Sequence, residues 1–287
     1  MPSVAAVVPT CNRPVLLRRA LRSIAAQELS PAEVIVVDDS DGLNKSLTRD
    51  AVEQAGLKGI FLTANSHAKG ASGARNTGAE LAMSELLAFL DDDDEWLPSY
   101  LSQAVGHCNW SELDVVCTPL LCQFEDGVDR LSKSGPDRLA PELFLTRNPG
   151  LVGSNFIIRR FLYREIGGFD ESLPTCNDMD FGLRLSLYRE AKYERLPKRL
   201  VRSHQHKGSK LCTPAGDAMR AGIRRFYELH GHRMTDEQRK QYRDMARRFF
   251  SIDERGQILD VPRREFFDPL FPLLKARLDQ RRGRLDK

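Results

Sequence analysis

The chain has 287 residues, enough for one large α/β domain or two small ones. Hydrophobic residues make up 41% and charged residues 29%, the balance of a soluble globular protein, and a net charge of +3 is too small to mark the whole chain as a nucleic-acid binder. No stretch approaches the ~20 apolar residues that cross a bilayer, and MPSVAAVVPTCNRP lacks the basic start and long apolar middle of a signal peptide.

SVAAVVP reads as a short buried strand stopped by Pro9. RPVLLRRALRSIAAQ carries Val15, Leu16, Ala20, Leu21, Ile24 and Ala25 near a 3.6-residue period, with Asn12 as a candidate cap and Pro14 in the first turn. EVIVVDD is a second buried strand. NKSLTRDAVEQAG is a helix closed by Gly56, and KGIFLTA a third strand. GASGARNTGAELAMS opens with glycines and becomes helical, and ELLAFLDDDD is a fourth strand ending in acids. Strand–helix alternation with short connections predicts a largely parallel sheet with helices on both faces. In such a sheet ligands bind at the carboxyl ends of the strands. Three of these ends are polar: Thr10–Asn12, Asp38–Asp39 and Asp91–Asp94.

The second half is less regular. SELDVVCTPLLCQFEDGVDRLSKSG looks like strands around an EDG turn, and LVGSNFIIRR like a strand. FLYREIGGFDE is a short helix ended by Gly167–Gly168, DMDFGLRLSLYRE an amphipathic helix, and AKYERLP a strand. From Thr213 the pattern is mostly helical, and the tail from Pro262 is basic and interrupted by proline. The expected division is 1–212, with halves 1–95 and 96–212, followed by a helical C-terminal extension over 213–287. Cys11, Cys108, Cys117, Cys122, Cys176 and Cys212 show no CxxC spacing, so reduced thiols in a cytoplasmic protein are expected.

Chemistry concentrates in five places. Asp91 and Asp93 point the same way on an extended chain, and two carboxylates sharing a site suit a hard divalent cation bridging to phosphate oxygens. A solvated acidic turn capping an EWLPSYL helix is the alternative. Asp38 and Asp39 could accept hydrogen bonds from a base edge or ribose hydroxyl, or simply form the DDSDG turn. HAKGASGARNTG allows close backbone approach, with Arg75 toward phosphate and Asn76 fixing a loop, but it lacks a P-loop ending. Asp178 and Asp180 open a predicted helix, where an acid can cap or take a proton from an incoming hydroxyl. RSHQHKGSKL offers His204, His206, Lys207 and Lys210 to metal or diphosphate, or is a basic surface loop.

In order and spacing, VVPTCNRP, VIVVDDSDG, GASGARNTG, LLAFLDDDDEWLP and GGFDESLPTCNDMDFGLRL resemble the inverting glycosyltransferases of family 2 over residues 10–190. That resemblance implies an α/β GT-A fold: a Rossmann-like, mixed, mainly parallel sheet flanked by helices, with a helical C-terminal extension. It matches Pro9, Thr10, Asn12 and Arg13 to the loop around the base and phosphates. Asp39, with Asp38 beside it, matches the acid contacting the base, and Arg75 and Asn76 the segment lining the nucleotide site. Asp91 and Asp93 match the Asp-x-Asp pair that engages ribose and metal–diphosphate, with Asp92 between them in the donor-binding set. Asp178 matches the general base. His204 and His206 both fit a late metal ligand. Asn177 departs from the family's frequent Glu, which lowers the local charge.

The implied activity is transfer of a sugar from a nucleotide donor, UDP-linked, to a glycan, lipid-linked or other hydroxyl acceptor, with Mn²⁺ or Mg²⁺ and with inversion. Surface-polysaccharide synthesis is the implied setting. The REFFDPLFPLLKARLDQRRGRL segment suits either a peripheral contact with the inner membrane face or packing on the core. A sugar-phosphate nucleotidyltransferase is the runner-up, but TCNRPVLL is a poor match to the glycine-rich loop it needs. A non-catalytic sugar-nucleotide-binding module is the alternative of a different class.

Overall fold

The computed structural model describes residues 1–40, 45–57, 59–106, 108–124, 127–131, 135–188, 191–205, 216–250 and 252–253. In chain order the first half runs β1 (Val4–Thr10), α1 (Pro14–Ala25), β2 (Glu33–Asp38), α2 (Lys45–Glu53), β3 (Ile60–Ala64), α3 (Ala71–Leu81) and β4 (Leu86–Phe89). Then come β5 (Asp94–Trp96), a π-helical turn at Ser102–Gly106, β6 (Val115–Cys117), β7 (Leu120–Phe124) and β8 (Asp129–Leu131). The rest is α4 (Pro141–Phe144), a 3-10 turn at Gly153–Asn155, β9 (Phe156–Arg159), α5 (Arg160–Glu165), α6 (Asn177–Leu187), β10 (Tyr193–Arg195), β11 (Val201–Gln205), α7 (Asp217–His230) and α8 (Asp236–Phe250).

Seven strands form the main sheet in the order β10-β6-β9-β4-β1-β2-β3. The four N-terminal strands are parallel, and β9 runs antiparallel between β4 and β6. All seven residues of β1 are buried, and alternation explains why. Ala5 and Val7 join the apolar cluster on one face, together with Phe89, Phe156 and Phe181. Val4, Ala6 and Val8 join the other, with Leu17, Leu21 and Ile24 of α1. The buried face of α1 is Leu17, Ala20, Leu21 and Ile24, an i, i+3, i+4, i+7 stripe. Val15, expected on that face, lies 72% exposed, because two residues before Leu17 is roughly 200° round the helix, on the side away from the sheet.

The parallel strands bring Thr10 level with Asp38 at one rim. The chain reverses its order of strands between β1 and β4, and in open α/β sheets ligands bind beyond strand ends at such a point.

The second, four-stranded sheet (β5-β11-β7-β8) was not foreseen. Asp94–Trp96, expected to lead directly into an EWLPSYL helix, is a strand paired antiparallel with Val201–Ser203. Trp96 fixes that choice: it is buried, its ring lies 4.9 Å from Tyr100, and its Nε1 donates to the Ser154 carbonyl at 3.0 Å. RSHQ, expected as part of a loop or metal-binding segment, is the body of β11. The strand expected over LVGSNFIIRR begins only at Phe156, since Asn155 spends its side chain on the Thr118 and Gly150 carbonyls and holds the preceding turn.

Of the expected helical C-terminal extension, the described helices α7 and α8 pack on the domain before them. Met219, Ile223 and Phe226 of α7, and Tyr242 and Ala246 of α8, belong to the same apolar cluster as Phe89. Asp180 locks α7 to α6 by accepting from His230 Nε2 at 2.8 Å and from Arg184 Nε at 2.8 Å. Burial opposes its charge, yet those bonds hold the carboxyl below its ordinary range. His206, Lys207, Lys210, Cys212 and the basic segment after Pro262 lie outside the described residues. Among the described residues no helix is long and apolar enough to cross a membrane, and Cys117 and Cys122 are free thiols.

Helix α3 reaches the sheet through Gly78. A Cβ there would lie 2.3 Å from Val7 Cγ1 and 3.3 Å from Val37 Cγ2. Gly78→Ala should therefore lower stability by ~1–3 kcal/mol, read as a lower urea midpoint at unchanged m-value. An unchanged midpoint would show that α3 does not pack this closely on β1.

Candidate active site

The rim of β1, β2 and β4 gathers most of the residues singled out in the sequence. Thr10 ends β1 and donates through Oγ1 to Asp92 Oδ2 at 2.8 Å. Arg13, the residue before α1, reaches Asp92 Oδ1 and Asp93 Oδ2 with the same Nη1, at 3.2 Å each. Arg19, a turn further along α1, donates to the Asp93 carbonyl at 2.7 Å. Asn12 is not the helix cap expected of it: its backbone is left-handed at φ 57°, Arg13 takes the cap position, and no side chain caps α1.

On the other side of the acidic run stands Arg75. Its Nη2 meets Asp91 Oδ1 at 2.5 Å, its guanidinium lies 4.9 Å from the Phe169 ring, and it is only 4% exposed. Its Nε and Nη1 are buried without a hydrogen-bond partner. Burial works against this cation, but Asp91 and Asp178 hold it firmly charged, above the usual range. A buried cation that lost its partner would cost ~3–5 kcal/mol, so Asp91 has a structural task beside Arg75.

The acids differ sharply in environment. Burial pushes Asp92 up to about 7, with Arg13 and Thr10 opposing. Burial, then the charges of Asp93 and Asp91, push Asp94 up as well, with hydrogen bonds from Ser154 and Ser203 opposing. Two arginines, with three side-chain contacts, thus serve four carboxyls, a setting that fits a divalent cation. Among the described residues no three His, Cys, Asp or Glu side chains form a metal cluster by themselves. One or two carboxylates completed by diphosphate oxygens remain a chemically sufficient set.

Asp38 and Asp39 end β2. Asp38 Oδ1 accepts the Ser40 amide at 2.9 Å. Asp39 accepts from Asn65 Nδ2 at 2.7 Å and from the Gly70 amide at 2.8 Å, and its own amide bonds the Thr10 carbonyl. Asp39 therefore organises the loop before α3, with lone pairs still available on both oxygens. Pro9 is buried within β1 beside them.

Asn76 stands apart from the other residues expected at the nucleotide. Its side chain donates to the Phe169 carbonyl at 2.9 Å and Glu171 Oε1 at 2.7 Å, and accepts from Tyr163 Oη at 2.6 Å and the Phe169 amide at 3.0 Å. It clamps the loop after α5, one helical position round from Arg75. His204, on β11, bonds Glu95 Oε2 through Nε2 at 2.6 Å. That bond, against burial, holds Glu95 below its ordinary range. The pairing of Ser203 with Asp94 brings this histidine's strand alongside the acidic run.

Asp178 lies in the first turn of α6. It does not cap the helix; the cap position is Cys176, whose side chain makes no capping bond. Its Oδ1 is buried and has no hydrogen-bond partner, though part of the residue reaches solvent. Burial raises it to about 6, Arg75 opposes, Asp91 adds, and a bond from the Gly153 amide opposes. The sequence reading missed this 3-10 turn. Ser154 Oγ accepts the Asp91 amide at 3.1 Å, and Gly153 packs on the Arg75 guanidinium. A Gly-Ser-Asn run ahead of a strand was the available signal.

The family model for Glycosyl transferase family 2 matches residues 5–167. The chain is 38% identical over 110 residues to the GalNAc(5)-diNAcBac-PP-undecaprenol beta-1,3-glucosyltransferase of Campylobacter jejuni, covering 38% of this chain and 35% of that protein. It is 33% identical over 103 residues to the UDP-Glc:alpha-D-GlcNAc-diphosphoundecaprenol beta-1,3-glucosyltransferase WfgD of Escherichia coli, covering 36% and 40%. The matched segment thus spans well under half the length of these two relatives. Among solved structures, TarS 1-349 of S. aureus in complex with UDP-GlcNAc is similar at a TM-score of 0.62 and 18% identity, over 88% of this chain and 73% of that one. That likeness shows the GT-A fold.

A Cβ on Gly153 would lie 2.7 Å from Arg75 Nη2, so Gly153→Ala should push the guanidinium off Asp91 and cost ~3–5 kcal/mol in urea denaturation. A stable variant with Arg75 still on Asp91 in its crystal structure would contradict this packing.

Proposed function

The chain belongs to glycosyl transferase family 2, and from that premise we propose that it moves a sugar from a UDP-linked donor to a hydroxyl acceptor, with inversion and with Mn²⁺ or Mg²⁺ as cofactor. One observation carries the reading: Asp178 Oδ1 is buried and unpartnered beside the Arg75–Asp91 pair, with the carboxyl raised to about 6. A carboxylate so poised is charged at neutral pH yet more basic than a solvated one, as a general base requires.

Each group then has a task. Asp38, Asp39, Pro9, Thr10 and Asn12 line the base and ribose end. Arg13 and Arg75, flanking the acids, face the diphosphate. Asp91 and Asp93 would hold the cation, with His204 as a further candidate; His206 belongs to the same proposal on sequence grounds only. When bound, the cation supplies positive charge against that developing on the departing nucleotide diphosphate. Asp178 takes the acceptor's hydroxyl proton while that oxygen bonds to the anomeric carbon. The bond from that carbon to the diphosphate oxygen breaks on the opposite face, so a single displacement inverts the centre.

The neighbour solved with UDP-GlcNAc supports a UDP donor. The relatives named for diphosphoundecaprenol-linked sugars support a lipid-linked saccharide acceptor in surface-polysaccharide synthesis. Such an acceptor would bring the chain to the inner face of the membrane, consistent with the basic, Phe- and Leu-bearing sequence after Pro262.

Asp178→Asn should lower turnover ~10²–10⁴-fold while leaving UDP affinity nearly unchanged. Wild-type turnover should fall as pH drops through about 6, because the protonated acid cannot accept a proton. Release of UDP from UDP-sugars with Mn²⁺, followed across pH, measures both. Near-normal turnover by Asp178→Asn, or a rate that stays flat on acidification, would overturn the assignment.

A further inference from the structure

A cavity of about 360 Å³ lies apart from the residues described above, walled by Asp137, Arg138, Leu143, Arg147, Asn148 and Pro149. The main sheet fixes its place. β6 and β10 run the same way as β4, so Cys117 and Arg195 end at the same rim as Asp91. Residues 135–137 are moored there. Tyr193 Oη donates to the Pro136 carbonyl at 2.6 Å, and Arg195 Nη2 meets Asp137 Oδ1 at 2.5 Å. β6 and β10 stand two and three strands from β4, which is ~10–14 Å across the sheet.

The cavity is also on the Asp178 side of that sheet. Leu143 and Phe144 join the apolar cluster that includes α6, and Phe144 packs against Gly182, one turn beyond Asp178, where no Cβ would fit. One braced segment runs from the cavity wall to the base. Asn148 Oδ1 accepts the Gly150 and Leu151 amides at 2.7 and 3.0 Å, and Asn155 Nδ2 donates to the Gly150 carbonyl at 2.8 Å. The Gly153 amide then bonds Asp178.

The charges in the wall favour an anion. Among the described residues Arg147 makes no hydrogen bond or ion pair. Arg138 holds Glu142 in an exposed i, i+4 pair, of a kind worth little in water. Asp137, the acid in the wall, is already answered by Arg195. Two guanidiniums with donors to spare suit a diphosphate, whose oxygens take paired N–H bonds.

We propose that this cavity is a subsite for the acceptor: it takes the diphosphate of a lipid-linked saccharide on Arg147 and Arg138 while the sugar's hydroxyl lies at Asp178. The inference rests on the reading of the acceptor as lipid-linked. In such an acceptor one or two sugar rings separate hydroxyl from diphosphate, and the ~10–14 Å across the strands leaves room for them.

The probe is geranyl diphosphate, titrated calorimetrically into the full chain in chelator, with and without excess UDP. It should bind whether or not UDP is present. Arg147→Gln should weaken it about 10-fold and Arg147→Lys less, since lysine keeps the charge but not the paired bonds. Arg147→Gln should unfold at the wild-type temperature, so that lost affinity is not lost fold. No binding, displacement by UDP, or equal affinity in Arg147→Gln would overturn the subsite. Inorganic pyrophosphate binding more tightly than geranyl diphosphate would assign the cavity to a soluble diphosphate and overturn it too. Transfer as efficient to a free saccharide as to its diphosphate-linked form would remove the lipid-linked reading itself. The titration holds no sugar donor, so the two failures are distinct.

Discussion

The site depends on keeping carboxylates close together where water is scarce. Asp91 to Asp94 follow β4 at the point where the sheet's order reverses, and Asp92 and Asp94 are almost fully buried. Like charges this close, desolvated, cannot all ionise without help. The fold answers with two arginines from different elements, Arg13 before α1 and Arg75 on α3, one on each side of the run. Much of the surrounding architecture serves those two arginines. Gly153 leaves room for the Arg75 guanidinium, Phe169 covers it, and Thr10 satisfies Asp92 from the end of β1.

A second device recurs around the site: side-chain amides hold irregular backbone in place of a ladder. Asn65 holds the loop beside Asp39, Asn155 the turn beside Asp91, and Asn76 the loop that carries Phe169. An amide both donates and accepts, so a single residue can satisfy an N–H and a C=O that would otherwise be stranded. Loops fixed this way can approach a ligand without being flexible, and Asn177 extends the same device to the helix of Asp178.

The main sheet was legible because its signals are local. Each of the first four strands is an apolar run, each following helix has a period, and the polar strand ends fall on one rim once the strands are parallel. The candidate acids were legible for the same reason. What could not be read has non-local causes. β5 is three residues long and is a strand only because Val201–Ser203 pairs with it from a hundred positions downstream. Asn76 looks like a ligand contact beside Arg75, and only the position of Phe169 and Glu171 reveals it as a clamp. The helices of the C-terminal extension were legible as helices from their amphipathic pattern, but the core that α7 and α8 cover was not.

If this arrangement of acids and arginines receives a nucleotide diphosphate together with a divalent cation, the two must bind interdependently. Calorimetric titration of UDP into the protein, with Mn²⁺ and then with a chelator, tests this most directly. UDP affinity should fall at least ~10-fold when Mn²⁺ is removed, and Asp93→Asn should bind UDP as weakly in Mn²⁺ as the wild type does without it. UDP bound equally well in chelator, and unaffected by Asp93→Asn, would contradict the account.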